Sequence, residues 1–404
     1  MPGSFLKSFR RLKQDASFSA FITGIIVVLV GITSSAVIVF QAANSLGLDS
    51  LQASSWLGSL CFGMGFLTMG LSFYYRAPVM IAWSTAGAAL LVTGLQNIPL
   101  SEAIGAFLLS AVLIFLCGIT GLFAKLINRI PMALASALLA GVLLHFSVES
   151  FTAVKTEPFL LGSMILAYLL ARQYFPRWTM MIVVSIGVLI ASVQGSLHVN
   201  QFHILLTQFS WTQPTFSWIS FLSISLPLFI VTMAAQNLTG IAALRVHGYN
   251  IPVSPLISWT GFLNLITAPF GGYTVNLAAV TAAIAMGKES HADPERRYFA
   301  AFVSGGIYVF IGIFAGTLTS LFSAFPPEMI TAIAGLALLS TIANALHSAL
   351  TIEKQKEAAF ITFIVAASGL SLFGIGSAFW AVLFGLFSQF ILQSKAQAQN
   401  NIKV

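Results

Sequence analysis

The sequence predicts an all-α polytopic membrane protein of about fourteen transmembrane segments, built as two inverted repeats of seven, with two short strands breaking segments three and ten. Three observations carry this. The chain is 58% apolar and 7% charged, whereas a soluble domain carries about 25% charged residues. Its bases fall almost wholly in alternate loops. Two Ala-Pro pairs, Ala77-Pro78 and Ala268-Pro269, each open a stretch of about half a dozen residues suited to extended backbone, followed by an Ala-rich helical run.

A bilayer core of roughly 30 Å takes about 20 apolar residues per helix. Cutting at charges, prolines and polar clusters gives the segments in order. Residues 18–40 follow the basic tail Lys7, Arg10, Arg11 and Lys13. They are too long for a signal-peptide core and lack a small-residue cleavage site, so they read as a retained first span, interrupted by Thr33-Ser34-Ser35. Residues 55–74 run to Arg76, 77–96 open on the first Ala-Pro break, and 102–123 begin at Glu102. Residues 128–147 carry Ala140-Gly141 after Pro131, 158–173 are short for a straight span, and 178–196 close the first half. In the second half, 218–243 is interrupted by Gln236-Asn237-Leu238-Thr239, 252–267 leads to the second break, 268–287 opens on it, and 297–322 follows a charged loop. Residues 327–350 carry Ala334-Gly335 after Pro326, in nearly the register of the fifth segment, and 357–373 and 375–393 end the series.

With the N-terminus inside, every Lys and Arg except Lys155 lies in a cytoplasmic loop or tail, among them Arg76, Lys125, Arg129, Arg172, Arg177, Arg245, Lys288, Arg296, Arg297, Lys354, Lys356, Lys395 and Lys403. This places both termini in the cytoplasm, and an odd number of spans per half inverts the second repeat. The net charge of +7 is scattered singly through apolar sequence and forms no patch for nucleic acid. Cys61 and Cys117 fall inside spans and read as small apolar residues.

In this topology segment three enters from the cytoplasm and segment ten from outside. Extended pieces near 79–84 and 270–274 would meet antiparallel at mid-membrane and satisfy each other's backbone. The helices that follow would start near Thr85 and Val275, with Ser84 or Thr85 and Thr274 as N-caps. Their N-termini, each worth about half a positive charge, would face one cavity and make an anion site without a basic side chain. All 11 acidic residues lie in loops or at helix ends, so no intramembrane carboxylate marks a cation or proton site.

The candidate binding side chains are Ser34, Ser35 and Gln41 on segment one, Trp83, Ser84 and Thr85 on three, Gln236, Asn237 and Thr239 on eight, and Tyr273, Thr274 and Asn276 on ten. Trp83 and Tyr273 could stack on a flat ring, or pack as core aromatics. Ser34 and Ser35 read equally well as helix-packing residues, and Asn276 as a brace of the broken helix. Gln236 and Asn237 cost more to bury, which favours a functional reading. His145 and Glu149, four apart, read as an interfacial ion pair rather than a proton relay, and His347 as structural. The loop 288–297 ends with Asp293 as N-cap and Pro294 at N1, an ordinary helix start rather than a metal site. No phosphate loop, zinc spacing or nucleophile elbow is present.

Several of these stretches carry a resemblance. Ala234-Ala235-Gln236-Asn237-Leu238-Thr239-Gly240, then Ala268-Pro269-Phe270-Gly271-Gly272-Tyr273-Thr274-Val275-Asn276, then His291-Ala292-Asp293-Pro294-Glu295-Arg296-Arg297-Tyr298, resemble the BenE family of benzoate/proton symporters. Ala77-Pro78 and Trp83-Ser84-Thr85 fit it too, and the likeness covers nearly the whole chain. The family is similar to nucleobase symporters and sulfate-permease-like carriers. That implies a core domain from residues 17–123 and 218–322 (segments 1–4 and 8–11) and a gate domain from 124–200 and 323–393 (segments 5–7 and 12–14). An external loop at 201–217 and cytoplasmic tails at 1–16 and 394–404 complete the division.

The resemblance further implies alternating access in a bacterial inner membrane. The partners it implies are benzoate or a similar aromatic carboxylate, protons as the coupling ion with no other cofactor, and the lipid bilayer; a homodimer is one assembly open to it. Where the nucleobase carriers place a carboxylate on the eighth segment, this chain has Gln236; after the tenth-segment strand it has Val275 and Asn276. Those departures argue against a nucleobase and leave the proton-coupling group open, the substrate's own carboxylate being one candidate. A carrier of another anion or of a nucleobase is the alternative. A polytopic enzyme would need a metal-binding acid cluster or a nucleophile with its base, and the sequence offers neither.

Overall fold

The computed structural model describes residues 12, 14–95, 98–122 and 132–402, with side chains as far as residue 392. Lys7, Arg10, Arg11, Lys13, Lys125, Arg129, Pro131, Lys403 and the side chain of Lys395, used above for topology and register, lie outside the described residues.

The first half of the chain gives α1 (Phe18–Ser45), α2 (Ser50–Tyr75), β1 (Ile81–Trp83), α3 (Thr85–Gly94), α4 (Leu100–Ile119), α5 (Met132–Thr152), α6 (Pro158–Tyr174) and α7 (Thr179–Gln194). The second half follows the same order with α8 (Trp218–Val246), α9 (Val253–Thr267), β2 (Val275–Leu277), α10 (Val280–Ala285), α11 (Tyr298–Ile313), α12 (Ala315–Ser323), α13 (Pro327–Leu350), α14 (Lys356–Ala367) and α15 (Ser377–Ile402). The α11–α12 pair is one unit bent by 68°. Thr207 fills that bend: its hydroxyl donates to Gly312 O at 2.6 Å and accepts from Ala315 N–H at 2.9 Å, so the opened turn keeps its partners. Among the described residues six helices (α1, α2, α4, α5, α8 and α13) are long and apolar enough to cross a bilayer alone, and counting the bent pair as one span makes seven. The expected fourteen spans therefore exceed what helix length by itself supports.

The strands pair antiparallel, with Ile81 opposite Leu277, Ala82 opposite Asn276 and Trp83 opposite Val275. The expected meeting of the two breaks is thus observed, but the second strand lies later than the 270–274 expected. The reason is the chain reversal before it. After α9 the chain makes a 3₁₀ turn at Ala268–Phe270, and Gly271 then sits at φ 95°. A Cβ at Gly271 would overlap Trp56, so the turn needs glycine both for its backbone and for its neighbour. Residues up to Thr274 are spent on this reversal. The helix after the strand consequently starts at Val280 rather than near Val275, and Thr274 does not cap it. In the first break the expectation fits better: Ser84 is the N-cap of α3, its Oγ accepting from Gly87 N–H at 2.9 Å.

Helix packing respects the repeat. α2 of the first half lies along α11 of the second, and α4 lies along α9, the same relation with the halves exchanged. The first pair closes on glycine: a Cβ at Gly305 would stand 2.6 Å from Gly65 O, and one at Gly65 would stand 2.6 Å from Gly305 O. In the second pair, Gly118 and Gly261 admit the backbones of Ser258 and Phe115. The Ala-Gly pairs expected to match are crossing points as well. Gly335 on α13 abuts Phe146 and Ser150 of α5, and Gly141 on α5 abuts Phe363 and Ala366 of α14. Leu166, Leu169, Phe310 and Phe387 stand exposed on helix surfaces, as expected of a chain whose outer face meets hydrocarbon.

Candidate functional site

The strand pair sits where several helices meet, and its outer edges have to be satisfied without water. Side chains of the neighbouring helices do this in matching fashion. Ile81 N–H donates to Thr68 Oγ1 at 3.0 Å, and Ser72 Oγ donates to Val79 O at 3.0 Å. On the other strand, Val275 N–H donates to Asn264 Oδ1 at 2.7 Å and Leu277 N–H to Asn237 Oδ1 at 2.9 Å. Asn264 Nδ2 donates in turn to Thr274 Oγ1 at 3.0 Å. Asn237 lies in a π-helical turn of α8 at Thr232–Asn237. Such wide turns recur at functional sites, and here the turn serves both neighbours: Asn237 braces β2 while Gln236 lines a cavity.

That cavity has a volume of about 500 Å³, within the usual range for small-molecule sites. Its lining comes from α1, α2, β1, the start of α3, α8, β2, α10 and α11, and from α5, α6, α7 and α13. It runs from the buried strands out to exposed residues at helix ends, namely Arg172, Pro176, Arg177, Asn344 and Ser348. Arg177 also faces Glu289 at 4.0 Å.

Seven of the twelve candidate side chains line this cavity: Ser34, Ser35, Trp83, Thr85, Gln236, Thr239 and Asn276. Trp83 is held in one orientation, its Nε1–H donating to Ser35 Oγ at 2.9 Å and its ring edge-on to Tyr308. Ser34 Oγ donates to Gly31 O at 3.2 Å within its own helix. Ser84 Oγ takes Gly87 N–H, leaving the first amides of α3 at the cavity end of a ten-residue helix. The expected second helix N-terminus is weaker, because α10 has only 6 residues and no side-chain cap.

Four others stand behind the lining. Asn237 and Thr274 are fully buried bracing residues, and Ser84 is the buried cap. Tyr273 is buried, with its hydroxyl donating to Ser84 O at 2.9 Å and its ring against Phe107, so it supports the turn instead of offering a ring face. The reason is the same shift of β2, which puts Tyr273 in the reversal rather than at the cavity. Gln41, also considered above, is absent from the lining, and its Oε1 is buried without a partner.

Sequence reasoning missed Tyr308, Tyr168 and the Arg172–Arg177 pair, all of which line the cavity. Tyr308 had a legible signal: it stands four residues after Ser304 in an otherwise apolar stretch, one polar face on α11. Tyr308 packs its hydroxyl into the space Gly31 leaves on α1. Elsewhere, His145 Nε2 meets Glu149 Oε1 at 2.9 Å on an exposed face, and Asp293 caps Glu295 N–H at 2.9 Å, as read from the sequence.

Residues 14–391 match the family model described as BenE, benzoate membrane transport protein. The chain is similar to the inner membrane protein YdcO of Escherichia coli (strain K12), 46% identical over 90% of this chain and 93% of that one. It is also similar to the benzoate membrane transport protein of Acinetobacter baylyi (strain ATCC 33305 / BD413 / ADP1), 38% identical over 95% of this chain and 97% of that one. Among solved structures, the transmembrane domain of a cyanobacterium bicarbonate transporter, BicA, superposes with a TM-score of 0.59 at 10% identity, over 91% of this chain and 97% of that one. The murine Slc26a9 anion transporter in its inward-facing state gives 0.60 at 13% identity, over 93% and 68%. These two likenesses establish the fold.

Proposed function

Since the chain belongs to the BenE family of benzoate membrane transport proteins, we propose that it is a secondary carrier importing benzoate or a similar aromatic carboxylate together with a proton, by alternating access. The observation that carries this reading is the cavity against the strand pair. It offers a fixed indole, hydroxyls, amides and the free amides of α3, and among the described residues no carboxylate lines it. An aromatic ring would lie on the Trp83 side, with its carboxyl group toward Thr85, Gln236 and Asn276. Inward movement of an anion opposes the membrane potential by about 2.3 kcal/mol per charge per 100 mV, and an accompanying proton removes that barrier.

A cavity lined by elements of both groups supports a division into a core domain (17–123 and 218–322) and a gate domain (124–200 and 323–393) that move against each other. With the Lys and Arg bias setting both termini and the Arg172–Arg177 loop in the cytoplasm of a bacterial inner membrane, the cavity opens inward. Protons are the only coupling species in this reading, and it requires no other cofactor. A homodimer in the bilayer is compatible with it.

Uptake of radiolabelled benzoate into proteoliposomes, with and without an inward proton gradient at fixed membrane potential, tests it. The expected result is accumulation driven by the gradient. Folded protein that takes up no benzoate would sink the proposal, and uptake indifferent to the gradient would remove the coupling alone.

A further inference from the structure

One atom in the cavity wall is mismatched with an anionic ligand. Asn276 Nδ2 donates to Leu277 O at 2.9 Å, which fixes which end of the amide is oxygen, since a flipped amide would set two acceptors together. Asn276 Oδ1 is then a buried acceptor with no donor. Asn276 lies directly opposite Ala82 in the strand pair, and directly opposed side chains share a face. Both line the cavity, and Ala82 sets only a methyl group beside Asn276. A buried acceptor without a donor is costly, so a ligand that brings a donor is favoured, and one that brings a second negative oxygen is repelled.

Resting on the proposed reading of this site, we infer that it takes the aromatic acid in its neutral, protonated form, with Asn276 Oδ1 accepting the acid O–H. The acid carbonyl oxygen accepts from the uncapped first amides of α3 beside Thr85. The carboxylate takes its proton from bulk water on one side and returns it to bulk water on the other; no protein group changes protonation. The charge environment agrees. β1 and α9 carry no titratable side chain, and α8 carries only Arg245, in its last turn. The other titratable groups of the lining are Tyr168, Arg172, Arg177 and Tyr308, with both arginines exposed and Arg177 facing Glu289. Among the described residues no full positive charge deep in the cavity offsets a buried carboxylate, and burial then favours the neutral acid.

The test is benzoate binding to the purified full-length protein between pH 5.5 and 8.0, by equilibrium dialysis and by calorimetry in two buffers of different ionisation enthalpy. Free carboxylic acids titrate near pH 4, so the apparent Kd should weaken about tenfold per pH unit above that, with one proton taken up per benzoate bound. Benzamide, neutral and carrying an N–H donor in place of the O–H, should compete with a Kd that does not change with pH. Methyl benzoate, which has no donor, should compete at least tenfold more weakly. Asn276→Leu should lose benzoate and benzamide binding alike while its thermal unfolding stays near that of the parent. Should that variant fail to fold, the ligand series on the parent protein decides alone. Benzoate binding with a flat pH profile and no proton uptake would overturn the inference and leave the carrier reading standing. Absence of benzoate and benzamide binding at every pH by folded protein would overturn both.

Discussion

At the scale of single residues, the site depends on side chains that hold other side chains. Trp83 is useful as a ring only because Ser35 fixes its indole N–H, and Ser35 Oγ is itself tied to Gly31 O at 2.9 Å. Trp83→Phe removes the donor and keeps most of the ring; Ser35→Ala removes the acceptor. Each is expected to raise the KM for benzoate uptake several-fold, with about 1 kcal/mol lost per bond. The double variant should cost no more than the worse single one, because the two report one interaction. Additive losses in that cycle would mean that Ser35 and Trp83 meet the substrate separately. Arg297 is a second such residue, away from the cavity. It donates to His291 O at 2.8 Å and to Met286 O at 2.7 Å, closing the loop between α10 and α11. Bonds from a charged donor are worth about 1.5–3 kcal/mol. Arg297→Gln should therefore lower the unfolding temperature in detergent while leaving the KM of what remains folded unchanged.

At the scale of elements, the decisive contacts are backbone against backbone. The α2–α11 crossing has no room for a side chain at Gly65 or Gly305, because the nearest atoms are carbonyl oxygens that cannot turn aside. Gly305→Val should abolish monodisperse protein on size-exclusion chromatography, while the same change at Gly306, which meets only Met69 Sδ at 3.9 Å, should be tolerated. Equal behaviour of the two variants would show that the crossing is looser than described. The elements were largely legible in the sequence because hydrocarbon imposes long apolar runs and proline punctuates them. The breaks at Ala77-Pro78 and Ala268-Pro269 were visible for that reason. The start of β2 was not: the reversal at Gly271 depends on Trp56, far away in the chain, and no local pattern announces such a partner. The site divides along the same line. Ser34, Ser35, Trp83, Thr85, Gln236, Thr239 and Asn276 were readable as polar or aromatic residues at breaks or interruptions of apolar runs, whereas Tyr168 joins them only through helix packing. Tyr273 and Thr274 showed the same local pattern and proved to be supports.

At the scale of the whole molecule, the cavity reaches exposed residues at Arg172, Arg177, Asn344 and Ser348. Cys61 and Cys117 are buried, so an introduced thiol can be read against a low background. Asn344→Cys is expected to react with a membrane-impermeant maleimide in inside-out vesicles and not in right-side-out ones, and benzoate should slow the reaction. Labelling from the opposite face would reverse the assigned orientation. The Arg177–Glu289 approach joins the α6–α7 loop to the α10–α11 loop across this mouth. An exposed pair of this kind contributes little to stability, so Glu289→Gln should alter labelling rates rather than protein yield.

The pairing of Ile81 with Leu277 has a consequence for how the protein is made. β1 leaves the ribosome long before its partner exists. At about 5–20 residues per second, its open edge waits roughly ten to forty seconds inside the membrane. Thr68 and Ser72 cover one side of that edge from the outset, but the other side stays bare until β2 is synthesised. The nascent first half is thus an unfinished surface that the insertion machinery or a membrane chaperone has to shelter. Chains arrested before residue 275 should be crosslinked to such a factor and cleared by proteolysis, whereas chains arrested well beyond α10 should be released and survive.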